Sequence, residues 1–159
     1  MVVSNASPII NLAAIGHLDL LRALYETVSI PDAVRREITR FDDQPGADAV
    51  RTLDWITTRV CPRPDLAAAL RGELDAGEAE AIALAAAIEA VLLIDERAGR
   101  RAASRLGVTR IGLLGALVEA KKQGHVSAVR PLLRALRQEA GFWISDALHE
   151  RVLAAVDEA

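Results

Sequence analysis

Aromatic residues are scarce in this chain: two Phe, two Trp and one Tyr among 159 residues, 3% of the total. A core so short of rings must be filled with Ala, Val, Leu and Ile, which suits helices packed closely on a sheet. Cysteine is scarcer still. Cys61 stands alone, so no internal disulfide framework can form, and the chain fits a reducing cytosol. His17, His125 and His149 share no metal-ligand spacing, so a structural zinc site lacks its ligands. Any metal here would be a hard ion held by oxygen. No stretch approaches the about 20 apolar residues of a membrane span, because Glu89 interrupts the longest run. The start, MVVSNASPII, has no basic region ahead of its apolar residues, so no secretory leader is expected and the expected location is cytoplasmic.

What is present is abundant small and aliphatic side chain, 52% hydrophobic overall. The length is most simply one domain, residues 1–159, large enough for a layered core. The net charge of −3 hides an asymmetry. Residues 1–96 hold 8 Lys/Arg against 16 Asp/Glu, residues 97–137 hold 10 against Glu119 alone, and residues 138–159 hold one against 5. The middle segment thus carries +9 (10 minus 1). Two readings stand: solvated helix faces, or a phosphate-tracking surface beside an acidic pocket. That segment contains no aromatic residue, so base stacking within it is not supported.

The chain is organised around LDAGEAEAIALAAAIEAVLLIDER, Leu74 to Arg97. Asp75 as N-cap and Glu78 three residues on form a capping-box pattern, followed by a helical run to Ile88. Val91 to Ile94 is then a short unbroken apolar run, as in a strand covered on both faces, and Asp95 ends it. Before this stretch, Met1–Ser4 reads as a strand. Ser7-Pro8 reads as a helix start with Ser7 as N-cap. A helix is expected over His17–Tyr25, a strand over Thr27–Ile30, and a helix opened by Pro31 that carries Val34, Glu37 and Ile38. FDDQPG is a polar loop, a helix is expected over Ala47–Trp55 and a strand over Ile56–Cys61, and Pro62-Arg63-Pro64 breaks the chain. After Asp95 come a basic amphipathic helix at Ala98–Leu106, a strand at Val108–Ile111, and three helices near Leu113–Gln123, Ala128–Glu139 and Asp146–Val156. Strands alternating with helices predict an α/β fold, a mainly parallel sheet with helices on both faces and a helical C-terminal third.

Asn5 and Ser7 fall just past the first strand, Glu37 on the helix after the second strand, Glu80 in the opening of the organising helix and Asp95 at the end of the strand that follows it. Ligands of open α/β sheets bind outside the carboxyl ends of the strands. Carboxylates gathered there repel one another and stay ionised most readily around a divalent cation. Each residue also has a plainer role open to it. Glu37 suits a surface helix, Glu78 the capping box, Asp95 the cap of a following helix, Asp146 a helix start, and Lys121-Lys122 a solvated face. Glu80 has no evident structural task.

The segments VVSNASPIINLAAIGHLDLL, IPDAVRREI, DAGEAEAIALA, LLIDERAGRRAASRLG, GLLGALVEAKKQG, RPLLRALR and GFWISDALHERVL resemble those of PIN-domain proteins. The likeness is to the kind that act as toxins in VapBC-like toxin–antitoxin pairs, and to a group of small PIN-like proteins. It covers nearly the whole chain except about Phe41 to Leu70. The resemblance implies a three-layer α/β/α fold and Mg²⁺- or Mn²⁺-dependent endoribonuclease activity. It implies metal ligands at Asn5, Glu37, Glu80 and Asp95, with Ser7 orienting Asn5 or a water. Phosphate contacts would come from Arg97, Arg100, Arg101 and Arg105. It further implies a cognate antitoxin and a homodimer, for which Leu113, Leu114, Leu117 and Val118 offer a stripe. Asn5 stands where the family has its first acid; an amide oxygen can ligate Mg²⁺ but brings no charge. The alternative is therefore an impaired PIN-like module that binds RNA or protein. A phosphotransfer domain with Asp95 as acceptor is disfavoured by the lack of an acidic pair at the first strand end.

Overall fold

In the computed structural model, which describes residues 1–159, five short strands form one all-parallel sheet. They are β1 (Val2–Ser4), β2 (Val28–Ile30), β3 (Ile56–Thr58), β4 (Val91–Leu93) and β5 (Arg110–Ile111). Their spatial order is β3-β2-β1-β4-β5. The connections carry α1 (Ala6–Ala14) and α2 (Asp19–Tyr25), then α3 (Asp32–Ile38) and α4 (Ala47–Thr52), then α5 (Pro64–Leu70) and α6 (Ala76–Ile88), and α7 (Arg97–Arg105). Beyond β5 lie α8 (Leu113–Lys122), α9 (Arg130–Gln138) and α10 (Asp146–Ala155). One group of helices has α6 packed on α3, α5 and α7, and another has α8 packed on α2 and α10. The helices flank the sheet in three layers, as expected.

The aromatic-poor core explains how α6 is held. Ala79, Ala81, Ala83 and Ala85 are all buried, along with Ile82 and Leu84. A helix buried on nearly every side needs small residues where backbones approach, so Ala replaces the usual polar face. Asp75 caps it by accepting a hydrogen bond from the Glu78 N–H at 2.8 Å. Glu89 closes it in the left-handed region at φ 54°. The unbroken apolar strand that follows is central: β4 lies between β1 and β5, with Leu92, Leu93 and Ile94 fully buried.

Four local expectations are corrected. The first helix starts at Ala6 with Asn5, not Ser7, at its N-cap position; Ser7 lies inside the first turn. The Pro62-Arg63-Pro64 break is followed by a helix, α5, in which Pro64 takes the first position, where its missing N–H is harmless. The strand expected over Ile56–Cys61 ends at Thr58. The stripe proposed for dimerisation is split: Leu113 and Leu117 are fully buried core residues, whereas Leu114 and Val118 are half-buried beside a groove.

The chain leaves β1 toward β2 on one side, and β4 lies on the other. The carboxyl ends of β1 and β4 are therefore adjacent, and the Asn5 N–H donates to the Leu93 carbonyl at 3.0 Å. This is the place where sheet order reverses and a crevice opens. Leu92 packs in the strand that forms one side of it. Truncation by Leu92→Ala should cost about 2–5 kcal/mol, read as a lower urea midpoint with unchanged slope.

Candidate functional site

Asn5 is 4% exposed. Its amide nitrogen donates to Glu96 Oε2 at 3.0 Å, and its Oδ1 is buried with no hydrogen-bond partner. The oxygen lies against the first turn of α6. A methyl group on Gly77 would stand 3.5 Å from Asn5 Oδ1 and 2.9 Å from Glu37 Oε2. Only glycine lets helix backbone approach both oxygens so closely. α3 brings Glu37 to this spot from β2's carboxyl end; the residue as a whole is exposed, with Oε2 turned toward Gly77. Glu78, 9% exposed, turns its carboxyl toward the first turn of α7, where it would stand 3.9 Å from a methyl on Gly99.

Asp95 follows β4 and is held by one oxygen. Its Oδ1 accepts from the Leu113 N–H at 2.9 Å, capping α8 rather than the helix that directly follows. Its Oδ2 is buried without a partner. The Ser7 hydroxyl is also buried and unpartnered. Such orphaned oxygens are rare in a folded chain and mark a functional site or an unseen partner.

The electrostatics bind these residues into one unit. Glu37 is pushed above the ordinary carboxylate value by burial and then by Asp75 and Glu96. Glu78 is pushed up to about 7 by burial, then Asp75 and Glu96, with a further push from Glu37. The Asp75 amide facing it pulls the other way. Asp95 is raised by burial, lowered by the Leu113 N–H, raised by Glu96 and lowered by Arg100. Carboxylates that resist ionisation first through burial and then through neighbouring acids form a site that favours added positive charge.

Glu80 does not join them, against expectation. Its Oε2 accepts from the Ala33 N–H at 2.8 Å. The N-cap position of α3 is Pro31, whose side chain has no acceptor, so Glu80 supplies that cap from across the α3–α6 contact. Two residues along a helix turn the side chain through about 200°. With Asp75 fixing the start of α6, Glu78 faces the crevice and Glu80 faces α3. Glu96 and Asp75 are the other acids that sequence reading missed. Glu96 has a signal in the sequence, since it directly follows Asp95 past the strand end.

Oxygen ligands of this kind suit a hard divalent cation. No three His, Cys, Asp or Glu side chains stand close enough to enclose an ion by themselves. A cation among Asn5 Oδ1, Glu37, Glu78, Asp95 and Glu96 would keep water in its shell, which is the manner of Mg²⁺. The four arginines Arg97, Arg100, Arg101 and Arg105 line one groove that ends at Asp95. Arg105 is tied to Glu73. Arg100 reaches the end of the groove, with Nη1 3.9 Å from the Cβ position of Gly112, which itself lies 3.0 Å from Asp95 Oδ1.

An α/β domain with acids gathered at the reversal of a parallel sheet is a familiar frame for phosphodiester chemistry. The model of a PIN-domain family matches residues 1–158, and the chain belongs to that family. PIN domains are in general nucleases that use divalent metal ions. Neither a search of curated proteins nor one of solved structures returned a match.

Two expected outcomes follow from the acid positions. Glu78 binds its proton more tightly in the folded state, at about 7 against an ordinary 4.5. The Glu78 contribution to stability should therefore be full below about 4.5, fall as pH rises to about 7, and level off above. Glu37 and Asp95, shifted in the same direction, add to the fall. Melting curves across that range should show it, and Glu78→Gln should flatten most of it. Glu80→Ala should lower stability at neutral pH by about 0.5–2 kcal/mol, as loss of a helix cap does, read in the same melting curves.

Proposed function

We propose that this chain is a divalent-metal-dependent endoribonuclease and the toxin of a toxin–antitoxin pair. The supporting observation is a single edge of the sheet where Asn5, Glu37, Glu78, Asp95 and Glu96 meet the end of an arginine-lined groove. In this reading Asn5 Oδ1, Glu37, Glu78 and Asp95 hold Mg²⁺ or Mn²⁺, with Glu78 taking the place expected for Glu80. The metal would supply charge neutralisation at the phosphate and a more acidic bound water. The chain's own groups do the rest. Glu96 fixes the Asn5 amide so that Oδ1 stays free, and Ser7 lies in the same first turn to orient it or a water. Arg97, Arg100, Arg101 and Arg105 bind the phosphate backbone, which positions RNA without reading its sequence. The cytoplasm, a cognate antitoxin and a homodimer complete the proposal. The dimer is tested by sedimentation at micromolar concentration.

Asn5 separates this reading from that of an impaired binding module. Asn5→Asp adds a carboxylate beside Glu37, Glu78 and Glu96 and removes the donor to Glu96. Without metal, the variant should melt lower than the parent through like-charge repulsion. With Mg²⁺ or Mn²⁺, its melting temperature should rise more than the parent's, because metal binding stabilises the folded state by mass action. Asp95→Asn keeps an oxygen for the Leu113 N–H but removes the charge, so it should lose both the metal response and RNA cleavage. A parent that cleaves RNA with Mn²⁺ and loses this in Asp95→Asn supports the enzyme. A parent silent toward metal, with a response gained only in Asn5→Asp, shows an impaired module.

A further inference from the structure

The groove that ends at Asp95 has a volume of about 1170 Å³, above the about 300–1,000 Å³ of small-molecule clefts. Its size suits a length of polymer. α7 lines one wall with arginines, and α10 adds Arg151 on the other. Arg97, Arg100, Arg101 and Arg151 form no ion pair within the chain, and Arg105 alone of the lining cations does. Asp95, at the end, is the one acid in the lining. The groove thus sets arginines without an ion pair beside an apolar strip of Leu114, Val118, Phe142, Leu148 and Val152, a mixed lining complementary to the phosphates and bases of a polynucleotide.

The loop between α9 and α10 adds a feature the basic segment lacks. Trp143 lines the same groove and is 82% exposed. The indole stands on rigid backbone. The neighbouring Phe142 N–H donates to the Leu136 carbonyl at 2.9 Å. Ile144 is buried, with its carbonyl accepting from Arg137 at 2.6 Å. Ser145 then caps α10 through the Leu148 N–H at 3.1 Å. An exposed ring carried on anchored backbone beside cations offers a flat apolar face next to phosphate sites, the combination with which single-stranded nucleic acids are held. A duplex keeps its bases stacked and has none to offer the indole.

We propose that the groove binds a single-stranded RNA segment, with an unpaired base stacked on Trp143 and neighbouring phosphates on Arg97, Arg101 and Arg151, leading the strand to Asp95. The choice of RNA as the polymer rests on the ribonuclease reading above; the stacking site rests on the groove itself.

The test is fluorescence titration of the full chain with a short oligouridylate, in chelator so that no cleavage enters. Trp55 is buried, at 5% exposure, so quenching reports on Trp143. Quenching is expected in the parent; affinities of the parent and variants are compared by anisotropy of a dye-labelled oligouridylate, where Trp143→Ala should weaken binding by about 5- to 150-fold, the cost of removing a stacking ring. Trp143→Phe should restore most of the affinity. The salt dependence of Trp143→Ala should match the parent's, whereas Arg151→Ala should lower the slope by about one. The matching RNA duplex should compete poorly. Absence of quenching, unchanged affinity in Trp143→Ala, or equal competition by duplex would overturn the proposal. So would a concentration-dependent blue shift accompanying self-association, which would make the groove an interface between copies. If the oligouridylate binds through Trp143 but no metal supports cleavage, the groove stands and the enzyme reading falls. If cleavage persists while Trp143→Ala leaves affinity untouched, the reverse holds.

Discussion

The structure depends on acids being forced together at the carboxyl ends of β1 and β4. Parallel pairing of these strands sets Asn5 beside the residues that follow Leu93, and the first turns of α6 and α7 close over the same spot. Burial raises the cost of a negative charge on Glu37, Glu78 and Asp95, and neighbouring acids add to their proton affinity. Part of that cost is offset by helix termini. Asp95 accepts from the first residue of α8 and Asp75 from the first turn of α6, where unpaired N–H groups favour anions. What remains is Asn5 Oδ1 and Asp95 Oδ2, buried without donors. A chain that keeps such a cluster carries strain that a cation would relieve.

The fold was legible because its signals are local and agree with one another. The unbroken run at Val91 to Ile94, the capping pattern at Asp75 and the proline at residue 31 each predict an element that forms. α5 was hidden because two prolines flank Arg63, and a break in one element can be the start of the next. Strand ends were overread because Arg59, Val60 and Cys61 continue an extended look after pairing stops at Thr58. The site was legible only to the level of position. Asn5, Glu37 and Asp95 lie at strand ends or on the following helix, so topology alone brings them near. Which glutamate of α6 faces them is a matter of helical phase. The capping box gives Glu78 a structural role in the sequence, and the same capping geometry aims it at the crevice.

The amide at Asn5 looks different once its surroundings are known. At the strand end it subtracts a charge, yet Glu96 Oε2 stands 3.0 Å from its nitrogen. The negative charge missing from position 5 is thus present one side chain away, and Asn5 supplies the donor that stabilises it. An aspartate in that position would accept where Asn5 donates, leaving Glu96 unpaired and facing another anion. The crevice is therefore balanced around an amide, with its charge carried from the end of β4.

The scarcity of aromatic residues gives Trp143 its weight. Of the five rings, Trp55 is in the core, Tyr25 and Phe142 are half-buried against it, and exposed Phe41 lies under the Arg40 guanidinium at 5.4 Å. Trp143 is left with the largest apolar face in the chain turned to solvent. Such exposure forgoes about 25 cal/mol for each Å² that burial would recover, although the core is otherwise built almost wholly of aliphatic side chains. No packing need of the fold is met by placing the ring there, because its neighbours Phe142 and Ile144 already anchor the loop. A surface that combines an exposed indole with unpaired guanidinium groups is complementary to alternating bases and phosphates, and because Asp95 lines the same groove, the binding problem is joined to the chemical one.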